Sequence, residues 1–195
     1  MKPAVFLDKD GTLVEDVPYN VDPALVRLAP GAGDALARLR GAGFALIVVS
    51  NQSGVALGRF AAGALDAVAR RVSELLASHG AAPDAYYWCP HAPADGCGCR
   101  KPAPGLIERA AREHGIDAAR SWMVGDILHD VEAGHRAGCR AVLIDNGNET
   151  EWDLSGARRP EHRVAGLAEA ADAILRAATG APPAAVPAGA AQGVA

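Results

Sequence analysis

Five short apolar runs punctuate the chain, and each stops abruptly at a polar residue. Residues 4–7 (AVFL) run into Asp8, 44–50 (FALIVVS) into Asn51, and 85–88 (AYYW) into Cys89. Residues 121–124 (SWMV) run into Gly125-Asp126, and 141–144 (AVLI) into Asp145. Runs this short and this uniformly apolar suit strands buried on both faces, as in a parallel sheet. Between them, residues 31–40, 61–79, 104–114 and 130–137 carry Leu, Val, Ile and Ala at helical spacing, and a last helix is expected over 167–177. Strand and helix alternate throughout, which predicts a doubly wound (Rossmann-like) α/β fold.

Folds of this kind bind ligands outside the carboxyl ends of their strands. The polar residues that end the runs therefore converge on one expected site. The segment 12–29, with Pro18, Tyr19, Asn20 and Pro23, is a long connection of the kind that covers sites. From about 179 the chain is Ala, Pro and Gly almost without charge, so the domain is expected over 1–178 and a disordered tail over 179–195.

The net charge of −4 argues against a generic nucleic-acid or membrane surface, while leaving room for a local cationic pocket from Arg59, Arg100 and Lys101. No apolar run approaches a membrane span, and the N-terminal MKPAVFLDKDG is too short in its apolar part for a signal peptide. A reducing cytoplasm is the expected compartment. No exposed apolar stripe stands out, so a monomer is the default expectation.

That compartment changes the reading of the cysteines. Three of the four fall in CPHAPADGCGC, where Cys89, His91, Cys97 and Cys99 follow a C-x-H-x₅-C-x-C spacing. Disulfides are the alternative, but four soft or borderline ligands match a closed tetrahedral Zn²⁺ site. Such a site would fold the loop 89–101, which has no core of its own, and present Arg100 and Lys101 rigidly. Cys139, alone at a helix–strand junction, reads as a small buried residue.

The first strand ends in two carboxylates, Asp8 and Asp10, before Gly11. Turn chemistry explains such a pair when it stands alone. With Asp126 at another strand end, three carboxylates would repel one another unless a hard cation such as Mg²⁺ sat among them.

DKDGT (8–12) resembles the DxDGT signature of haloacid-dehalogenase-like (HAD) phosphohydrolases. Ser50 after LIVV, Lys101 before a helix and GDILHD after WMV match the other three motifs of that superfamily in order. The resemblance extends to about residue 176, with no insertion long enough for a large cap domain. It implies that Asp8 is a nucleophile forming an aspartyl-phosphate and Asp10 the general acid and base. Asp8, the backbone carbonyl of Asp10 and Asp126 would hold Mg²⁺, and Ser50 and Lys101 would hold the phosphoryl oxygens. Asp130 would support the metal shell or Lys101, with a plain helix N-terminus as its alternative. Ser50 could instead only cap its strand.

CPH…CxCRKP is similar to two related branches, the D-glycero-D-manno-heptose 1,7-bisphosphate phosphatases and the histidinol-phosphate phosphatases. SNQSGVALGRF (50–60) and PYNVDPALVRLAPGA (18–32) read like the heptose branch. The resemblance implies loss of the 7-phosphate from a small phosphorylated sugar, with Asn51, Arg59 and Arg100 among the substrate-binding residues. Histidinol phosphate or another small sugar phosphate is the alternative within the class. A non-catalytic phospho-acceptor or binding module is the alternative outside it. Leu57, Ile127 and the 145–152 loop depart from the heptose pattern, which bears on substrate and not on the phosphatase chemistry.

Overall fold

The computed structural model describes residues 1–180. Its strands are β1 (Ala4–Leu7), β2 (Ala45–Asn51), β3 (Ala85–Cys89), β4 (Trp122–Gly125), β5 (Arg140–Ile144) and β6 (His162–Val164). The helices are α1 (Ala32–Gly41), α2 (Ala64–Ala77), α3 (Gly105–His114), α4 (Leu128–Arg136) and α5 (Leu167–Thr179). All six strands are parallel, in the order β3-β2-β1-β4-β5-β6. The sheet is doubly wound, as its alternating pattern predicts, and no cap domain interrupts it.

Strand residues alternate between two cores. Val5, Leu7, Leu46, Val48, Val124 and Val142 face α1, α2 and α5 through Leu36, Leu39, Val72 and Ile174. Ala4, Phe6, Ile47, Val49 and Met123 face the other layer, where Leu106, Ile107 and Ala110 of α3 and Ala133 of α4 close over them. Full burial of each large apolar side chain stabilises by about 1.5–3 kcal/mol, so both faces of the sheet must be covered.

β6 is the one strand the apolar pattern does not predict. It has three residues, two of them His162 and Arg163, and it pairs only with β5 at the sheet edge. A half-exposed edge strand needs no apolar run, so it leaves little trace in the sequence. α5 reaches Thr179, with Gly180 in the left-handed conformation as its C-terminal cap. The remainder of the expected tail, 181–195, lies outside the described residues.

The chain runs outward from β1 to β3 and then returns to the opposite side of β1 as β4, so the winding reverses between β1 and β4. Asp8 and Asp126 follow those two strands, and the Asp8 N–H donates to Val124 O at 2.9 Å. The covering connection 12–29 is anchored, because Leu13, Val14 and Val26 are buried in the α1/α5 core.

Candidate active site

Asp8, Asp10, Asp16, Ser50, Asn51, Lys101, Asp126, Ile127, Asp130 and Asn148 line a cavity of about 330 Å³ at the reversal point. Oxygens of Asp8, Asp126 and Asp130 lie within 4.8 Å of one another. The turn that brings them together depends on Gly11. Its φ is +77°, and a Cβ there would collide with Asp126 Oδ2. Gly125 leaves similar room for Asp130, whose carboxyl occupies the space a Cβ would take.

Lys101 is 3% exposed, and its ammonium spends its donors inside the site. Nζ lies 2.5 Å from Asp8 Oδ1, 2.6 Å from Asp130 Oδ1 and 3.0 Å from Val49 O. Burial opposes the charge of Lys101, but the Asp130 and Asp8 carboxylates outweigh it and raise its pKa. Burial likewise raises Asp130, against the pull of Lys101. Asp130 thus holds the lysine from the first turn of α4, where its Oδ2 also accepts from Ile127 N at 3.4 Å. Asn51 holds the backbone of the same lysine, accepting from Lys101 N at 3.0 Å and donating to Lys101 O at 3.1 Å.

Asp126 accepts from Thr12 Oγ1 at 3.2 Å and from Asn148 Nδ2 at 2.7 Å. Burial, and then the neighbouring Asp8 charge, push its pKa up to about 6. Asp10 is raised by burial, partly offset by its ion pair with Lys9. Its other oxygen accepts from Gln52 Nε2 at 3.0 Å, and the same amide donates to Ser50 Oγ at 3.0 Å. Three buried carboxylates facing one ammonium leave negative charge uncompensated. The donor set is all oxygen and the cavity is open, which suits a hard divalent cation.

Cys89, His91, Cys97 and Cys99 form the second cluster. Cys89 and Cys99 are 3.3 Å apart at sulfur, Cys97 and Cys99 3.5 Å, and Cys89 and Cys97 3.6 Å. His91 Nδ1 lies 3.5 Å from Cys89 Sγ and 3.3 Å from Cys99 Sγ. These separations are too long for a disulfide and close to the edges of a tetrahedron with metal–ligand bonds of about 2.0–2.3 Å. Burial opposes ionisation of Cys97, but N–H donors from Cys99 and Arg100 outweigh it and hold the thiol at about 7. Burial holds the neighbouring Cys89 and Cys99 thiols above their usual range, and a bound metal ion would favour the thiolate form of all three. The loop closes onto α3 at Gly105, whose N–H donates to Gly98 O at 3.0 Å and where a Cβ would strike that carbonyl.

Arg59 and Arg100 stand off the cavity wall. The Arg59 guanidinium stacks on Tyr19 at 4.1 Å, linking the covering connection to the loop after β2. Arg100 Nη1 donates to His91 O at 3.3 Å. Ile127 lines the cavity, Leu57 is exposed outside it, and Trp152 lies under Arg163 at 4.2 Å. Sequence reasoning missed Asp16, Gln52 and Asn148. Gln52 sits within the 50–60 segment that resembles the heptose branch, and Asp16 within the long connection 12–29. Asn148 carries no signal beyond its place in the unusual 145–152 loop.

A family model described as HAD-hydrolase-like matches residues 98–170, the part that carries Lys101 and Asp126. The D-glycero-beta-D-manno-heptose-1,7-bisphosphate 7-phosphatase of Bordetella bronchiseptica is 37% identical over 174 residues, 88% of this chain and 97% of that protein. The D-glycero-D-manno-heptose-1,7-bisphosphate 7-phosphatase of Thermosynechococcus vestitus is 37% identical over 187 residues, covering 89% of this chain and 95% of its own. Among solved structures, the D,D-heptose 1,7-bisphosphate phosphatase of B. bronchiseptica, complexed with magnesium and phosphate, superposes with a TM-score of 0.76. It is 34% identical, over 90% of this chain and 99% of that one. On end-to-end likeness of this kind, carried by motifs that meet in one cavity, the chain belongs to the HAD-like phosphatase family.

Proposed function

We propose that the protein is a Mg²⁺-dependent phosphomonoesterase that removes the 7-phosphate of a D-glycero-D-manno-heptose 1,7-bisphosphate through an aspartyl-phosphate on Asp8. The observation that carries this reading is Asp8 at the reversal point of the sheet, with Lys101 Nζ 2.5 Å away, in a chain that covers 97% of its heptose-phosphatase relative from B. bronchiseptica.

Asp8 attacks phosphorus, forming an aspartyl oxygen–phosphorus bond as the bond to the sugar oxygen breaks. Asp10 gives its proton to that leaving oxygen, a role suited to a carboxyl raised by burial. Water then attacks the acyl-phosphate, Asp10 takes its proton, and Asp8 is regenerated with release of inorganic phosphate. Ser50 and Lys101 hold the phosphoryl oxygens, and Asn51 and Asp130 keep Lys101 in place. Asp8, Asp126 and the Asp10 carbonyl would hold Mg²⁺, which when bound offsets the repulsion between two anions. Cys89, His91, Cys97 and Cys99 would hold Zn²⁺, which would fix the loop that delivers Lys101. Arg59 and Arg100 would meet the distal part of the sugar from the rim.

The working form would be a monomer in the cytoplasm, acting on a small soluble sugar and not on nucleic acid or membrane. No helix among the described residues is long and apolar enough to cross a membrane. Phosphorus NMR of the product tests the reading. It expects the 7-phosphate resonance to be replaced by inorganic phosphate while the 1-phosphate resonance persists, and loss of the 1-phosphate instead would contradict it.

A further inference from the structure

The segment after β5 reaches back across the site and touches it in three places. Asn146 Nδ2 donates to Gly11 O at 2.7 Å, on the turn that carries the acidic pair. Asn148 Nδ2 donates to Asp126 Oδ2 at 2.7 Å. Glu149 Oε2 accepts from Leu128 N at 2.6 Å, at the N-terminus of the helix that bears Asp130. Four consecutive residues therefore tie together the turn after β1, the carboxylate after β4 and the start of α4. The segment is held in turn by itself, through Asn146 Oδ1, which accepts from Asn148 N at 3.2 Å.

We infer that Asn148 is a positioning residue for the metal carboxylate Asp126, and that residues 146–149 form a brace for the divalent-cation site. The inference rests on the Mg²⁺ reading above and extends it to a loop that no motif covers. With Thr12 Oγ1 on one oxygen and Asn148 Nδ2 on the other, both oxygens of Asp126 carry a hydrogen bond, so the plane of the carboxylate is fixed. The second bond is also walled in, because a Cβ at Gly11 would collide with both Asp126 Oδ2 and Asn148 Nδ2. Without the amide, Asp126 would have one donor left at 3.2 Å and freedom to rotate away from Asp8 and Asp130, whose negative charges repel it. Partners of this kind around metal ligands are worth roughly 10–100-fold in metal affinity.

Asn148 also lies where three cavities meet. It lines the main cavity, a second of about 330 Å³ bounded by Asn146 and Gly166, and a third of about 220 Å³ bounded by His129 and Arg158. Asn148 is an exposed residue overall, though its bond to Asp126 is part-buried, so truncating it opens space next to the metal carboxylate without breaching a core.

The test is direct binding of Mn²⁺, as a spectroscopic stand-in for Mg²⁺, to the full chain without substrate. Wild type, Asn148→Ala and the near-isosteric Asn148→Leu are compared by calorimetry and paramagnetic resonance, with a thermal midpoint for each. We expect both variants to bind Mn²⁺ roughly 10–100-fold more weakly, with midpoints near wild type and the Mg²⁺ needed for half-maximal activity raised in proportion. At saturating Mg²⁺, kcat should return towards the wild-type value. Binding within about twofold of wild type in the two folded variants overturns the inference. A wild type that binds no Mn²⁺ at all also overturns it, and the fault then lies with the Mg²⁺ reading.

Discussion

The side chain of Asn51 pairs with the backbone of Lys101 as one peptide pairs with another, accepting from its N–H at 3.0 Å and donating to its carbonyl at 3.1 Å. The last residue of β2 thereby fixes a lysine fifty positions later, at the exit of the cysteine loop. Sequence reasoning places Asn51 among the substrate-binding residues. Its amide does line the cavity, but two of its hydrogen-bonding functions are spent on Lys101.

Asn51→Ala should therefore act through the lysine. Removing both bonds leaves the buried backbone N–H and carbonyl of Lys101 unpartnered and loosens the hold on Nζ beside Asp8. We expect kcat to fall by about tenfold to a hundredfold, of the order of two lost hydrogen bonds at about 1 kcal/mol each or slightly more. KM should change less. Steady-state kinetics on the folded variant check this, and a rise in KM with unchanged kcat would instead make Asn51 a substrate contact alone.

Asp10 separates catalysis from binding. Asp10→Asn keeps the Gln52 and Asp8 surroundings in shape but removes the proton donor, and kcat should drop by roughly 10²–10⁴. Asp8→Asn should abolish turnover. Mass spectrometry of quenched wild type should find the phosphoryl group on Asp8, and unchanged phosphate release in either variant would end the proposed mechanism.

The thiol cluster predicts one zinc per chain by elemental analysis, with none expected in Cys97→Ser. Four ligand atoms within 4.8 Å of one another leave the loop without a core of its own if the metal goes. Loss of the metal should lower the thermal midpoint, by about 2–4 °C for each kcal/mol of stability lost in a domain of this size. Activity should fall with it, because Lys101 follows Cys99 by two residues. A chain that keeps its midpoint and activity after exhaustive chelation would show that the loop folds unaided.

Much of the candidate site was legible because many of its residues end or follow an apolar strand run. Asp8, Ser50, Asn51, Cys89 and Asp126 stand at or beside the strand ends, and a period of two or an unbroken apolar run marks where those ends are. Asn148 and Asp16 come from connections, where no periodicity ties position to geometry, so only folding reveals that they face the cavity. β6 escaped for a related reason. His162 and Arg163 form a strand by pairing with Val142 and Leu143, not by burying an apolar face. The positions of Arg59 and Arg100 were equally hidden, since a flexible side chain near a motif can turn to Tyr19 or to the His91 carbonyl as readily as to a phosphate.

The carboxylate cluster predicts how stability depends on pH in metal-free protein. Asp126 is raised to about 6 and Asp10 is also raised, in both cases first by burial. A carboxyl whose pKa is higher folded than unfolded binds its proton more tightly in the native state. Its favourable contribution is present below the unfolded value near 4 and is lost as pH rises through about 6. Metal-free protein should therefore lose stability across that interval, and Mg²⁺ should raise the thermal midpoint more at pH 7 than at pH 5. Equal Mg²⁺ stabilisation at the two pH values would count against the Asp126 carboxylate as a ligand of the cation.

The most direct test of the account is kcat/KM for phosphate release, with Mg²⁺, from both anomers of D-glycero-D-manno-heptose 1,7-bisphosphate and from histidinol phosphate. A clear preference for one heptose bisphosphate anomer over histidinol phosphate is the expected result. Equal or faster turnover of histidinol phosphate would contradict the substrate assignment, and no Mg²⁺-dependent release from any of the three would contradict the assignment of this chain as a phosphatase of small phosphorylated sugars.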